Sequence, residues 1–316
     1  MASSIGGARP RLAGKLFTIL AVMLLTSFAG AASAAIRTGG APTPAGGPPP
    51  PGSPGGAADE NPSAGALTVV SAKTFPRKSF YYGVRYPRLS YTIASTQAQN
   101  DLRIDVVDST GRAVRTFYRN DVAPNVASTV RWDGTAANGR PARNGKYSFR
   151  ISAQTGAPAA RHAARSSALS LGFALYGFAF PVLGPHDFGQ TGARFGAGRS
   201  GHTHQGHDVM ANCGLPIVAA RGGRVRYSGY QGAAGNYVVI DGKGTGYDTA
   251  YMHLLRPSLL RAGDLVRTGQ PIGLVGSTGS STACHLHFEI WTAPGWYEGG
   301  SPIDPLPQLL RWDRYS

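Results

Sequence analysis

At 316 residues the chain has room for two folded domains. Its net charge of +15 is uneven: residues 67–171 hold 16 basic and 5 acidic side chains, residues 172–316 hold 11 and 9. Such an excess concentrates a domain near polyanions. No nucleic-acid-binding motif accompanies it, which argues against nucleic acid as a partner, and two cysteines without C-x-x-C spacing argue against a cysteine-ligated metal.

The first 34 residues belong to neither domain. Arg9, Arg11 and Lys15 precede an apolar run from Leu16 to Leu25, and small residues ending in Ala32-Ser33-Ala34 follow. This is the pattern of a secretory signal peptide cut after Ala34. The alternative is an uncleaved membrane anchor, disfavoured because the run is shorter than the roughly 20 residues of a span. Residues 35–66 are almost all Ala, Gly, Pro, Ser and Thr, with Pro48 to Pro51 at the centre. They cannot bury enough apolar surface to fold and are expected to form a semi-extended tether. The expected location is extracytoplasmic, secreted or held in the cell wall, where thiols oxidise. A Cys213–Cys284 disulfide is then expected, with two buried free thiols as the alternative.

From Leu67 short alternating runs begin: Leu67–Val70, Leu89–Ile93, Leu102–Val107, Ala113–Tyr118, Ser128–Trp132 and Lys146–Ile151. Turn residues such as Asp133-Gly134, Asn138-Gly139 and Asn144-Gly145 punctuate them, predicting a β-sandwich over residues 67–154. The stretch from Ile104-Asp105-Val106 through Gly111-Arg112 and Trp132-Asp133-Gly134 to Asn144-Gly145-Lys146-Tyr147 resembles the immunoglobulin-like domain of flagellar hook-capping proteins. The resemblance implies a fold and a binding or spacing role, not a flagellar one.

Residues 155–173, rich in Ala, Gly, Arg and Ser, read as an interdomain linker. Residues 174–316 are strand-rich, with runs at Pro216–Arg221, Gly223–Tyr227, Asn236–Asp241, Thr249–His253, Pro271–Val275 and Cys284–Trp291. Only Pro257–Ala262 reads as a possible helical turn. The predicted class is all-β, a sandwich followed by a mostly antiparallel sheet domain.

That second domain carries the chemistry. His204-Gln205-Gly206-His207-Asp208 and Cys284-His285-Leu286-His287-Phe288-Glu289 stand about 80 residues apart, with His253 between them. Two imidazoles and a carboxylate can hold a zinc ion and leave its fourth position open. On a strand, side chains two apart share a face, so His285 and His287 project together while Leu286 and Phe288 face the core. Gly206 permits the tight backbone path that brings His204 and Asp208 to one ion. Glu289 shares the histidine face and is a candidate to orient an imidazole. His202 and His207 are sequence neighbours of the ligands without an expected metal role. The H-E-x-x-H motif of helix-based zinc proteases is absent.

His204-x-Gly206-x-Asp208, His253 after Tyr251, and His285-x-His287 together resemble the lysostaphin-type, or β-lytic, zinc endopeptidases, from about Phe180 to Pro307. The resemblance implies one zinc per chain on His204, Asp208 and His287, with His253 and His285 flanking the open position and moving protons. Asn236 is a candidate for lining the cleft. The implied function is exported hydrolysis of peptide cross-links in bacterial peptidoglycan. The alternative is a latent or non-catalytic wall-binding regulator of other hydrolases. Expected partners are peptidoglycan and, through residues 67–154, anionic wall polymers. Membrane contact is expected only through an uncleaved signal segment.

Overall fold

The computed structural model describes residues 67–154 and 171–316. The expected signal peptide, the tether and residues 155–170 lie outside the described residues.

The first part is a two-sheet sandwich. Its strands are β1 (Thr68–Phe75), β2 (Lys78–Phe80), β3 (Arg88–Ala94), β4 (Asn100–Asp108), β5 (Ala113–Val122), β6 (Ser128–Arg131), β7 (Gly145–Ala153) and β8 (Gly172–Tyr176). One sheet runs β1-β3-β6 and the other β2-β8-β7-β4-β5. Period-two alternation turns Leu89, Tyr91 and Ile93 of β3 and Leu102, Ile104 and Val106 of β4 into the shared core. Trp132 fills its centre, edge-on to Tyr147 and Phe173.

The strand β8 corrects the expected boundary. It pairs antiparallel with β7 and parallel with β2, so residues 172–176 complete the sandwich instead of opening the second domain. The segment taken for an interdomain linker connects two neighbouring strands of one sheet. Composition misled here, because a polar Ala/Gly run looks alike between domains and between strands. Phe173 and Leu175 are buried in the sandwich core, which a five-residue run after such a segment did not disclose.

The second part contains β9 (His186–Asp187), β10 (Gly198–Arg199), β11 (His202–Thr203), β12 (His207–Ala211), β13 (Pro216–Val218), β14 (Gly223–Gln231), β15 (Gly235–Gly242), β16 (Tyr247–Leu254), β17 (Leu265–Val266), β18 (Pro271–Leu274), β19 (His285–Thr292) and β20 (Pro302–Ile303). A large antiparallel sheet runs β17-β14-β15-β16-β19-β12-β9, with β20 also on β19. One face packs on a core that includes Val209, Tyr251, Leu286, Phe288 and Ile290. Helix α1 (Leu306–Asp313) closes that core with Leu309 and Trp312. The sequence does not announce this helix because Pro305 and Pro307 look like breakers, although proline is tolerated in a first helical turn. Residues 257–262, expected to form a helical turn, contain no helix. Among the described residues no helix is long and apolar enough to cross a membrane.

The two parts are bonded to each other. Buried Thr268 donates its N–H to the Tyr82 carbonyl and its hydroxyl to that of Tyr81. Arg221 lies over the Tyr81 ring and Arg267 over Tyr82. Tyr176 of β8 stacks on Tyr315 beyond α1, centroids 3.8 Å apart.

Candidate active site and metal centre

The central strand β19 places most of the site. Its alternation sends Leu286, Phe288 and Ile290 to the core and His285, His287 and Glu289 to the opposite face. Antiparallel register sets Asp208 of β12 directly opposite His287 on one side and Met252 of β16 opposite it on the other. Opposed residues share a face with Cβ atoms about 5 Å apart, so Asp208 and His287 meet by register alone. His204 arrives from the loop before β12. Gly206 allows it: a Cβ there would stand 2.5 Å from the Phe288 carbonyl oxygen and 2.8 Å from His287 Nε2.

His253 reaches the cluster by breaking the strand rule. By alternation it would join Tyr251 on the core side. Instead its φ is +60°, an uncommon value for a residue with a side chain, and the turn swings its ring toward His285 and His287. The turn is held by Asn236 Nδ2 and Thr278 Oγ1, both donating to the Leu254 carbonyl. Asn236 therefore supports the strand end that carries His253.

Three donor atoms converge. His204 Nε2 is 3.1 Å from Asp208 Oδ1 and 2.9 Å from His287 Nδ1, and His287 Nδ1 is 2.9 Å from Asp208 Oδ1. Tetrahedral zinc ligands at about 2.0–2.1 Å stand about 3.3 Å from one another, so the trio needs only a small expansion to admit an ion. The tautomers are also set. His204 donates Nδ1–H to the Arg194 carbonyl at 2.8 Å, which frees Nε2. His287 donates Nε2–H to Glu289 Oε1 at 2.9 Å, which frees Nδ1. Each imidazole thus aims one ring nitrogen at the same point, with its other nitrogen anchored.

The electrostatics favour a cation there. Burial would raise the Asp208 carboxyl, but hydrogen bonds from His204 and His287 outweigh it and hold the group well below the usual carboxylate range. Burial would lower His287, but its bonds to Asp208 and Glu289 lift it to about 9. Asp208 and Glu289, one on each nitrogen of His287, give the pocket two negative charges with which to receive a divalent ion. The donor set and its spacing fit the metal.

His253 and His285 stand beside the trio, ring centroids 4.7 Å apart. His253 donates Nδ1–H to the Thr278 carbonyl at 2.7 Å, and His285 donates Nδ1–H to that of Ala283 at 2.9 Å. Both therefore keep an Nε2 lone pair, and that of His285 is 3.5 Å from Asp208 Oδ1. Burial lowers His253 to about 4, so its ring is neutral at neutral pH.

The other expected residues fall as follows. Cys213 and Cys284 form a disulfide that ties the segment after β12 to the start of β19. His207 alternates to the core side with Val209 and is fully buried near Phe188. His202 lies exposed on β11. Several site residues carry little signal in the sequence. Glu289 Oε2 accepts from Trp291 Nε1 at 2.7 Å and Trp296 Nε1 at 2.8 Å. Tyr297 packs on both indoles and hydrogen-bonds Gln205. Arg199 Nη2 lies 3.4 Å from Asp208 Oδ2. Trp291 was legible as the next residue on the histidine face. Trp296, Tyr297 and Arg199 come from loops and a short hairpin, which carry no periodic signal.

Residues 202–305 match peptidase family M23, and residues 88–157 match the FlgD Ig-like domain. Among characterised proteins, the chain is similar to the peptidoglycan DD-endopeptidase ShyC of Vibrio cholerae, 46% identical over 86 residues, covering 27% of this chain and 19% of that protein. It is also similar to the DD-carboxypeptidase/endopeptidase Mpg of Neisseria meningitidis, 36% identical over 117 residues, covering 35% of this chain and 25% of that one. The chain thus spans about a fifth to a quarter of the length of the curated relatives it matches. The catalytic domain of lysostaphin from Staphylococcus simulans aligns at 31% identity over 40% of this chain and 92% of that one, with a TM-score of 0.34. The match to peptidase family M23 covers residues 202–305, which hold every member of the histidine–aspartate cluster, and the match to the FlgD Ig-like domain precedes it.

Proposed function

We propose that the protein is an exported zinc-dependent endopeptidase that hydrolyses peptide cross-links of bacterial peptidoglycan. The observation that carries this reading is the pairing of a three-donor cluster, His204, Asp208 and His287, with two imidazoles whose free nitrogens lie beside it. When bound, zinc supplies Lewis acidity toward a carbonyl oxygen and makes water a competent nucleophile near neutral pH. His204, Asp208 and His287 would hold the ion. His253 and His285 do the proton work. One of their Nε2 atoms takes a proton from the attacking water. The resulting imidazolium can donate to the developing oxyanion or to the leaving amine. The C–N bond breaks, the amine departs with the transferred proton, and the acyl side leaves as a carboxylic acid that gives its remaining proton to solvent.

Two further parts of the reading concern placement. Export rests on the signal-peptide pattern of residues 1–34. Attraction to anionic wall polymers rests on the sandwich, where register puts Lys73, Arg88 and Arg131 on one exposed face. A non-catalytic regulator is the competing reading, and the presence of all three ligands and both proton carriers disfavours it.

The test is digestion of purified peptidoglycan by the protein lacking residues 1–34, with products identified by mass. New amino termini and loss of cross-linked dimers, stopped by a chelator and restored by zinc, are expected. No cleavage of walls of several chemotypes by protein carrying one zinc per chain would instead favour the regulator.

A further inference from the structure

Asp208 turns its two oxygens to different neighbours. Oδ1 faces His287, His204 and His285 at 2.9, 3.1 and 3.5 Å, while Oδ2 faces the Arg199 guanidinium at 3.4 Å. Arg199 is placed by backbone, not by chance of a long side chain. Its strand β10 pairs with β11 through Arg199 and His202, and the base of this hairpin is tied by Gly196 N–H to the His204 carbonyl and by His204 N–H to that of Ala197. The same segment that delivers the ligand His204 therefore delivers a cation to the rim of the cluster.

That cation is underused. Of the five N–H groups of a guanidinium, one is engaged, at the long limit of a hydrogen bond. The side chain is 33% exposed and has no other polar partner among the described residues. Nor does any other Lys or Arg pair with the cluster among the described residues. The charge balance sharpens the point. A divalent ion on His204, Asp208 and His287, with Glu289 behind His287, brings the centre to formal neutrality. Arg199 then adds one positive charge at the partly exposed rim of the cluster.

We propose that Arg199 is a specificity-determining residue that selects cross-links carrying a free carboxylate beside the scissile amide. The inference rests on the endopeptidase reading of this site. A carboxylate on the carbon that bears the leaving nitrogen lies about 3–5 Å from the scissile carbonyl carbon. With the carbonyl at the metal cluster, such a carboxylate falls within reach of a guanidinium at its rim, where the planar fork suits bidentate pairing. A diamino acid joined through one amine and keeping the carboxylate next to it provides this group. A glycine bridge, whose internal residues have no free carboxylate, does not.

The test uses two soluble cross-linked stem-peptide dimers that differ only in whether the carboxylate next to the scissile nitrogen is free or amidated. Hydrolysis is measured for the wild type, Arg199→Gln and Arg199→Lys. Binding of both dimers to chelator-treated protein is measured by calorimetry, and zinc content by mass spectrometry. The wild type should favour the free carboxylate by about tenfold in kcat/KM, the scale of one charge-assisted hydrogen bond at a partly exposed site. In Arg199→Gln that ratio should fall to about one, through KM, with one zinc per chain retained. Arg199→Lys should recover part of the preference. The binding ratios should follow the same order. A wild-type ratio of one, or a ratio unchanged in Arg199→Gln, overturns the proposal. So does loss of zinc from Arg199→Gln with the preference intact, which would make the arginine a support for Asp208 only. Failure to cleave either dimer would count against the endopeptidase reading, while the binding comparison would still decide the role of Arg199.

Discussion

His287 and Glu289 share one face of β19, and His287 donates Nε2–H to Glu289 Oε1 at 2.9 Å. The carboxylate cannot turn away, because its other oxygen accepts from the indoles of Trp291 and Trp296. His287 is thereby held with Nδ1 facing Asp208 and His204. Glu289→Gln replaces the anion by an amide of the same shape. We predict a zinc affinity lower by about 10- to 100-fold, the usual cost of losing such a partner to a ligating histidine. Competition with a zinc indicator reads it directly, and an unchanged affinity would remove Glu289 from the metal centre.

Gly206 has a comparable effect through sterics. A methyl group there meets a backbone carbonyl and the His287 ring at once. Gly206→Ala should leave the sandwich folded but displace His287, lowering zinc affinity at least about tenfold. Metal titration together with the signal of the buried sandwich residue Trp132 separates a local from a global effect. Full zinc affinity in a folded Gly206→Ala protein would show that the close approach is not required.

The Cys213–Cys284 bond spans 71 residues of sequence. Closing a loop of that length removes about 4 kcal/mol of unfolded-chain freedom on the entropy argument. The double substitution to serine should lower the thermal midpoint of the peptidase domain and leave that of the sandwich nearly unchanged. Domain-resolved calorimetry checks this. Equal loss in both domains, or none, would contradict it.

Acid sensitivity of the sandwich should trace to Asp105. Burial would raise this carboxyl, but hydrogen bonds from Thr116, Arg150 and Arg103 outweigh it, so its pKa is lowered. A depressed carboxyl contributes stability that is complete above its unfolded value near 4 and is lost as pH falls through the lower folded value. Asp105→Asn should cost about 2 kcal/mol at pH 6, the scale of charged hydrogen bonds, and progressively less as the pH falls below about 4. Denaturant titrations followed through Trp132 test both. A pH-independent cost would place the effect in packing instead.

Much of this site was legible because strands repeat every two residues. His285, His287 and Glu289 announce a shared face, and the composition of the two motifs points to a metal. His253 is different: alternation puts it in the core, and only the left-handed turn at that residue brings it to the cluster. The family resemblance supplied what periodicity could not. Arg199 and Trp296 had neither signal, since hairpin and loop positions are set by tertiary contacts. The boundary at 155–173 failed for the complementary reason. A polar run marks where chain leaves the core, and only strand pairing shows that β8 returns to the same sheet.

Zinc content measured beside wall digestion separates the proposed metal ligands from the proposed proton carriers. His204→Ala and His287→Ala should lose the metal and the activity together. His253→Ala and His285→Ala should retain one zinc per chain and lose digestion by at least about a hundredfold, the scale of a general acid–base contribution. Full digestion by either proton-carrier variant, or full zinc in both ligand variants, would contradict the assignment.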